Sequence, residues 1–509
     1  MHHFTFPSRL FVRNVFALAV LGILPAAAWA FESGSTGADG ELNPAVNTEI
    51  ELPPSGILNY TTINIPAGVV VTFKKNQANT PVHLLASGNV TIAGQIHIMG
   101  KDGNDVGTYG NAQIGDDGIP GAGGPGGFDG GRGGRPDQAQ KPEIIRGGTG
   151  LGPGGGPGGI EGADTCSGNY RYFKYVGVGG AYATDSWPRH AKQGCSHPPM
   201  VKAYGSPLLQ PLIGGSGGGG GRGGTNFHGA GGGGGGGAIL IAASGTLNLT
   251  GYITARGGDG GGISGTGAGG YGGGGSGGAI RLVATTVTGN GALYAEGGCI
   301  RENGSSRQYC GSSGGYYEMG GSAGRIRIEG EAIAYSGTSA PSYVGGTPGP
   351  VFIAGAPSLR IASVNGVSVP ANPKGVADVT LPEAAAGPVE VVFETSNVPV
   401  GNTVLLRLVP AYGEPVEALS PAISGSTASG TAKVTVTLPK GPSTMQATTT
   451  YTIVLAMGEA LSQYAQNERV EKVQITVAMA GKTMARLITV SGKEFDVPYS
   501  VLQEAGFLG

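Results

Sequence analysis

The chain has 509 residues, 103 of them glycine, with 13% charged residues and a formal net charge of −2. Charge so sparse and mixed provides no basic surface for nucleic acid or an anionic membrane. With only 7% aromatic residues, the composition argues against one large conventional core and suits a repetitive fold around a thin file of Val, Ile and Leu.

Residues 1–30 read as a secretory signal peptide. Arg9 and Arg13 supply the positive start, Val15 to Leu24 a short apolar run, and Pro25-Ala-Ala-Ala-Trp-Ala30 the small-x-small cleavage pattern. The run is too short for a spanning helix, and no cysteine follows the cut to carry a lipid. Cleavage removes two arginines, taking the charge from −2 to −4. No later stretch is long and apolar enough to cross a membrane. The prediction is a protein secreted by, or held on the surface of, a bacterium.

Residues 31–349 are predicted as a glycine-rich β-solenoid domain. In 31–81, alternation at Ile57 to Ile65 and Val69 to Phe73 predicts a cap and a first rung, with Pro53-Pro54 and Pro66-Ala-Gly as turns. Three later segments overlay: Val82 to Gly100, Ile239 to Gly257, and Ile280 to Gly297, the last one residue shorter. Each opens on apolar-x-apolar and closes on a Gly-x-apolar step (Gly94/Ile96, Gly251/Ile253, Gly291/Leu293), and Arg325-Ile-Arg-Ile328 starts a fourth. Such alternation buries every second side chain, which predicts short strands. One copy cannot cover its apolar face but stacked copies can, so the segments read as rungs of a parallel β-helix or related β-solenoid. An antiparallel sandwich of recurrent hairpins is the competing architecture.

Glycine-rich excursions leave after Gly100, Gly257 and Gly297, and stacked rungs would lay them side by side. From Gly115 to Arg135 there are seven in-phase triplets beginning with glycine, and shorter runs start at Gly152, Gly214 and Gly269. An extended threefold helix rises about 3.1 Å per residue, so glycine at every third position leaves one edge bare for close approach. The excursion from Gly257 to Ala279 would make a slab roughly 30 Å deep at that rise. Disordered low-complexity glycine is the alternative, since ordering each backbone costs about 1–2 kcal/mol.

A segment of different character, 165–211, interrupts the first excursion. It carries Cys166, Cys195 and the aromatics Tyr170, Tyr172, Phe173, Tyr175, Tyr182, Trp187 and Tyr204. In an exported chain the cysteines predict disulfides, 166 with 195 and 299 with 310, one of three possible connectivities. Tyr170, Tyr172, Tyr175, Tyr182 and Trp187 are the candidate binding residues, as rings on a stapled loop give contact area at low entropic cost. The alternative is that they pack on the glycine slab. From 350 glycine gives way to Val, Thr and Pro at strand-like spacing, predicting an immunoglobulin-like β-sandwich over 350–464. Residues 465–509 add strands and a short helix from Ser500, either completing the sandwich or forming an attachment module.

Catalytic motifs are weak. Gly-x-Ser-x-Gly occurs at Gly214 to Gly218, Gly274 to Gly278 and Gly320 to Gly324, outside the strand-turn-helix setting a nucleophile elbow needs, and reads as a product of glycine abundance. Asp102, Asn104 and Asp105, and Asp116-Asp117, can offer oxygen to calcium but equally suit solvated turns. His190, Cys195 and His197 with Cys166 could suggest zinc; an oxidising compartment favours the disulfide. The rung faces hold almost no carboxylate.

The in-phase Gly-x-y runs and the tracts Gly217 to Gly221 and Gly231 to Gly237 resemble the polyglycine II domains of certain phage tail-tip adhesins, glycine-rich antifreeze proteins and the glycine-rich domain of Obg-type GTPases. The likeness covers roughly residues 101–325 and is one of composition and period. The rungs resemble secreted bacterial right-handed β-helix proteins. These resemblances imply a rigid extracellular scaffold and transfer no functional residue. The expectation is an exported, non-enzymatic structural or adhesive protein that meets an extracellular or cell-surface polysaccharide or protein, or assembles with itself. A polysaccharide-acting β-helix lyase or hydrolase is the alternative, and ice binding a minor one. No cofactor is expected, calcium apart.

Overall fold

The computed structural model describes residues 31–76, 78–107, 118–136, 145–160, 175–186, 198–264, 269–301, 308–309, 320–352, 356–370, 378–382, 387–411, 414–439, 441–454, 458–479 and 482–505. The fold is all-β apart from short helical segments, and its two large N-terminal sheets are parallel.

The three overlaid segments pair in the register that their alignment implies. Val82–Ala86 pairs in parallel with Ala238–Leu249, that strand with Ala279–Gly289, and that one with Arg325–Tyr335. Leu84, Ile241, Leu282 and Ile328 therefore stack in one column. A second parallel sheet runs through Thr48–Glu51, Val70–Lys74, Gln95–His97, Tyr252–Thr254, Ala292–Tyr294 and Thr338–Ala340. It carries the column Val71, Ile96, Ile253 and Leu293. Inward side chains from both sheets form one apolar cluster. The copy that is one residue short is absorbed by a bulge, Ser244 and Gly245 lying opposite Thr285 alone.

Two details differ from expectation. Residues 31–81 supply two levels of strands rather than a cap and one rung, with Glu41–Leu42 and Thr48–Glu51 beneath Ile57–Tyr60, Thr62–Ile65 and Val70–Lys74. Ala238–Leu249 is also one continuous strand where short strands and a tight turn were expected.

The described glycine runs lie side by side, joined by backbone hydrogen bonds of period three. In the run 229–237, Gly231, Gly234 and Gly237 donate to Asn104, Lys101 and Ile98. Gly229, Gly232 and Gly235 donate to Gly134, Gly131 and Phe128, while Ala230, Gly233 and Gly236 donate to Gly270, Gly273 and Ser276. Its carbonyls accept from Gly121 and Gly124, from Gly258 and Gly261, and from Gly215, Gly218 and Gly221. One chain thus has neighbours in six directions, the geometry three residues per turn produces. A Cβ on Gly233 would fall far inside contact distance of the Gly258 carbonyl oxygen. Close approach of the main chains, more than backbone freedom, is what demands glycine there.

Beyond Pro350 the pairing becomes antiparallel. A five-stranded sheet centres on Ser358–Val364, Pro388–Ser396 and Gly430–Thr437. A six-stranded sheet runs from Val416–Ala422 through Thr403–Pro410, Ser443–Val454, Val470–Ala478 and Lys482–Thr489 to Glu494–Pro498. The two share a core in which Phe393, Val391, Leu408, Ile475 and Leu487 are fully buried. Strands after 465 belong to this second sheet, and the helix Tyr499–Glu504 sends Val501 and Leu502 into the same core. The C-terminal 45 residues therefore complete these sheets as far as they are described.

A buried ionic clasp ties Gly349 and Pro350 to the parallel strands Ala279–Gly289 and Arg325–Tyr335. Arg281 places Nε and Nη2 on the two oxygens of Glu329 at 3.0 and 2.8 Å and Nη1 on the Pro350 carbonyl at 3.1 Å. Glu329 also accepts from Arg327 and from the Gly349 amide, and Gln210 donates to the Pro350 carbonyl. Burial alone would raise the Glu329 pKa, but Arg281 foremost, with Gly349 and Arg327, holds it below the ordinary value. His83 lies in the same column as Arg281, two strands away across Leu240, and Phe352 covers it at 5.5 Å between ring centroids.

Candidate functional site

The expected binding loop is placed only in part. Tyr170, Tyr172 and Trp187 lie outside the described residues, as do Cys166, Cys195 and Cys310. Tyr182, offered as an exposed anchor, is instead 1% exposed. Its hydroxyl donates to the Ile213 carbonyl at 2.9 Å, its amide to Ser322 Oγ at 2.6 Å, and its ring meets Tyr204 at 4.8 Å. Tyr204 donates to the Gly214 carbonyl at 2.7 Å. Burial pushes both phenols well above their ordinary pKa, so both remain neutral donors. They pack because the bare glycine surface accepts rings while leaving carbonyls within reach of hydroxyl groups. Tyr175 is half-buried beneath the Arg222 guanidinium, 4.7 Å from its ring centroid.

Of the aspartates proposed for calcium, Asp102 and Asp105 bind main chain one level along, and Asp116 and Asp117 lie outside the described residues. Asp102 Oδ1 accepts from the Asp259 amide at 2.9 Å and Asp105 Oδ1 from the Gly262 amide at 2.7 Å. Asp259 Oδ1 in turn accepts from the Cys299 amide at 2.8 Å, so equivalent positions on successive excursions are laced together. Asn104 takes part through its backbone. Among the described residues, no group of three His, Cys, Asp or Glu side chains gathers as a metal-ligand set. Cys299 is buried and is not a free thiol.

The Gly-x-Ser-x-Gly matches have a structural explanation that glycine abundance alone does not supply. Ser216, Ser276 and Ser322 are buried. Ser276 Oγ accepts the Ser216 amide at 2.8 Å, Ser322 Oγ the Tyr182 amide, and Ser216 Oγ the Gly154 amide at 3.0 Å while donating to Tyr204 at 2.9 Å. Each hydroxyl serves a donor from a neighbouring run, where an unmet amide would be costly.

The cluster the sequence reading passed over is on the second parallel sheet. Alternation that buries Ile96, Ile253 and Leu293 turns Gln95, His97, Tyr252 and Tyr294 to the opposite face, where all four are half-exposed. His97 stacks on Tyr252 with centroids 5.5 Å apart, and Tyr252 meets Tyr294 edge-on at 6.0 Å. His97 Nε2 lies 3.0 Å from Gln95 Oε1 and 3.2 Å from the Tyr252 hydroxyl, which also donates to Gln95. Arg256 sits 5.6 Å from the Tyr294 centroid and pairs with Glu296 at 2.7 Å. Partial burial, then the nearby Lys101, keeps the His97 pKa below its ordinary value, so the imidazole is neutral near pH 7. The signal was present in the residues after each closing glycine: Gln95 and His97, Tyr252, Tyr294.

A cleft of about 1270 Å³ separates the glycine runs from the C-terminal sheets, with Phe128, Tyr204, Met445, Met479 and Met484 on its walls. Comparison of the chain with protein-family models, with curated proteins and with solved structures finds no match. Among the described residues, no helix is long and apolar enough to cross a membrane.

Proposed function

We propose that this chain is an exported, non-enzymatic structural or adhesive protein. In this reading the parallel sheets make a β-solenoid, the glycine runs a polyglycine II bundle anchored on it, and the C-terminal sheets an immunoglobulin-like sandwich. The segment 1–30 directs export, and disulfides 166 with 195 and 299 with 310 staple the loops. The observation that carries the reading is the period-three hydrogen bonding around the run 229–237. A flexible linker has no use for such a lattice; a rigid spacer does.

A polysaccharide-cleaving enzyme needs paired carboxylates across a scissile bond. Among the described residues, the carboxylates Glu51 and Glu296 that flank the half-exposed rings are each engaged by a cation, Lys74 and Arg256. Self-assembly through the lower edge is opposed by Glu49 and Glu51, exposed on the edge strand Thr48–Glu51.

Hydrogen exchange on the secreted protein tests the scaffold. The expected outcome is strong protection of amides in 217–221 and 231–237, matching that of the rungs. Exchange there at the rate of unstructured glycine sinks the proposal.

A further inference from the structure

We infer that the face bearing Gln95, His97, Tyr252 and Tyr294 is a binding platform for a neutral polysaccharide chain lying across the rungs. The inference deepens the adhesive reading and rests on it for the protein's meeting such a polymer.

Three observations point to this ligand chemistry. First, rings stand on three successive levels and alternate between two adjacent columns, His97 and Tyr294 in the column of Thr254 and Tyr252 in that of Gln95, with centroid steps of 5.5 and 6.0 Å. A repeating ligand with flat apolar faces fits a repeating row of rings, and a pyranose offers such a face with hydroxyls around its rim. Secondly, polar groups are fixed among the rings. Gln95 Oε1, the Tyr252 hydroxyl and His97 Nε2 already hold one another, so little rotamer freedom remains to be lost on binding. Thirdly, the flanking charges are of both signs: Lys74 pairs with Glu51 at 2.6 Å and Arg256 with Glu296 at 2.7 Å, and Lys101 and Glu49 add one charge of each sign. With His97 neutral, the face carries no net charge, which disfavours a polyanion that must find open cations. A peptide adding as a strand needs an unpaired sheet edge, and these residues occupy inner strands hydrogen-bonded on both sides.

The test is native affinity electrophoresis of the purified full chain. Gels are cast with hydroxyethyl cellulose, laminarin or mannan as neutral polymers, and with polygalacturonate or dextran sulfate as polyanions. At least one neutral polymer should retard the protein, and Tyr252→Ala with Tyr294→Ala should weaken that retardation on the order of tenfold, as loss of central aromatic anchors does. Gln95→Ala with His97→Ala, made at half-exposed positions, gives a second reading should the tyrosine variant fold poorly. Retardation by none of the neutral polymers, by polyanions alone, or unchanged in both variants overturns the proposal. Exchange protection in the glycine runs, measured on the same samples, reports separately on the scaffold: protected runs with no polymer binding sink the platform and leave the scaffold standing.

Discussion

The glycine runs and the C-terminal sheets solve the same problem by opposite means. In the run 229–237 each main chain has six neighbours and donates in three directions. In the C-terminal sheets an inner strand pairs with two neighbours, and cohesion between layers comes from side chains such as Phe393, Leu408 and Leu487. Ordering a residue costs about 1–2 kcal/mol, and a net hydrogen bond returns about 0.5–1.5 kcal/mol. A glycine bundle therefore depends on every amide being met, with close Cα–H contacts adding about 0.5–1 kcal/mol each. A side-chain core draws instead on apolar burial. The tolerance of the two regions to added and removed atoms should be reversed.

The largest expected effect comes from removing atoms in the second region. Phe393→Ala should destabilise the C-terminal sheets by about 3–5 kcal/mol, read from denaturant midpoints, while amide protection in 229–237 stays as it was. A parallel fall in both regions would mean that they unfold as one unit and that the contrast is only local.

Acid should act next, at His83 and the clasp that holds the Pro350 segment to the parallel strands. Burial, reinforced by Arg281, lowers the His83 pKa from 6.5 to about 4. Between these values the unfolded chain holds a proton that the folded chain refuses, so stability falls as pH drops through that window, by about 3 kcal/mol in all. The depressed Glu329 adds a loss in the same direction at lower pH, as its carboxylate becomes protonated. Urea midpoints measured from pH 7 to pH 4 check this, and His83→Gln should flatten the upper part of the profile. A flat wild-type profile refutes the assignment.

The smallest effect comes from adding one methyl group. Gly233→Ala, whose Cβ meets the Gly258 carbonyl oxygen, should cost about 1–3 kcal/mol as overpacking does. It should raise exchange in 229–237 and in the neighbouring runs and leave the C-terminal sheets untouched. Gly387→Ala, where a Cβ meets nothing, is the matched control.

Much of the parallel strand pairing was legible because alternation and the closing glycine recur at matching positions, and Ile96, Ile253 and Leu293 fall in register as the overlay implies. The exposed ring row was equally present in the letters, but it emerges only when the residues flanking those apolar positions are compared across levels. The serines at 216, 276 and 322 could not be read as hydrogen-bond acceptors, since their donors come from runs distant in sequence, as with Tyr182 and Ser322. For Tyr182 the sequence left two fates open, and burial against the glycine surface decided for packing. The strands after 465 were ambiguous because all three enter the sheet through one pairing, Val470–Ala478 on Ser443–Val454, which no local pattern announces.

The lattice around 229–237 also bears on how the chain acquires its structure. This run draws partners from 98–134, from 215–221 and from 258–276, so its contacts are nearly all long-range in sequence. Local pairing of the parallel strands can begin early, but the run meets its last partners only once the chain as far as residue 276 is free to fold. Until then the first excursion is a long unclosed loop, and its closure entropy is repaid in one late, cooperative step.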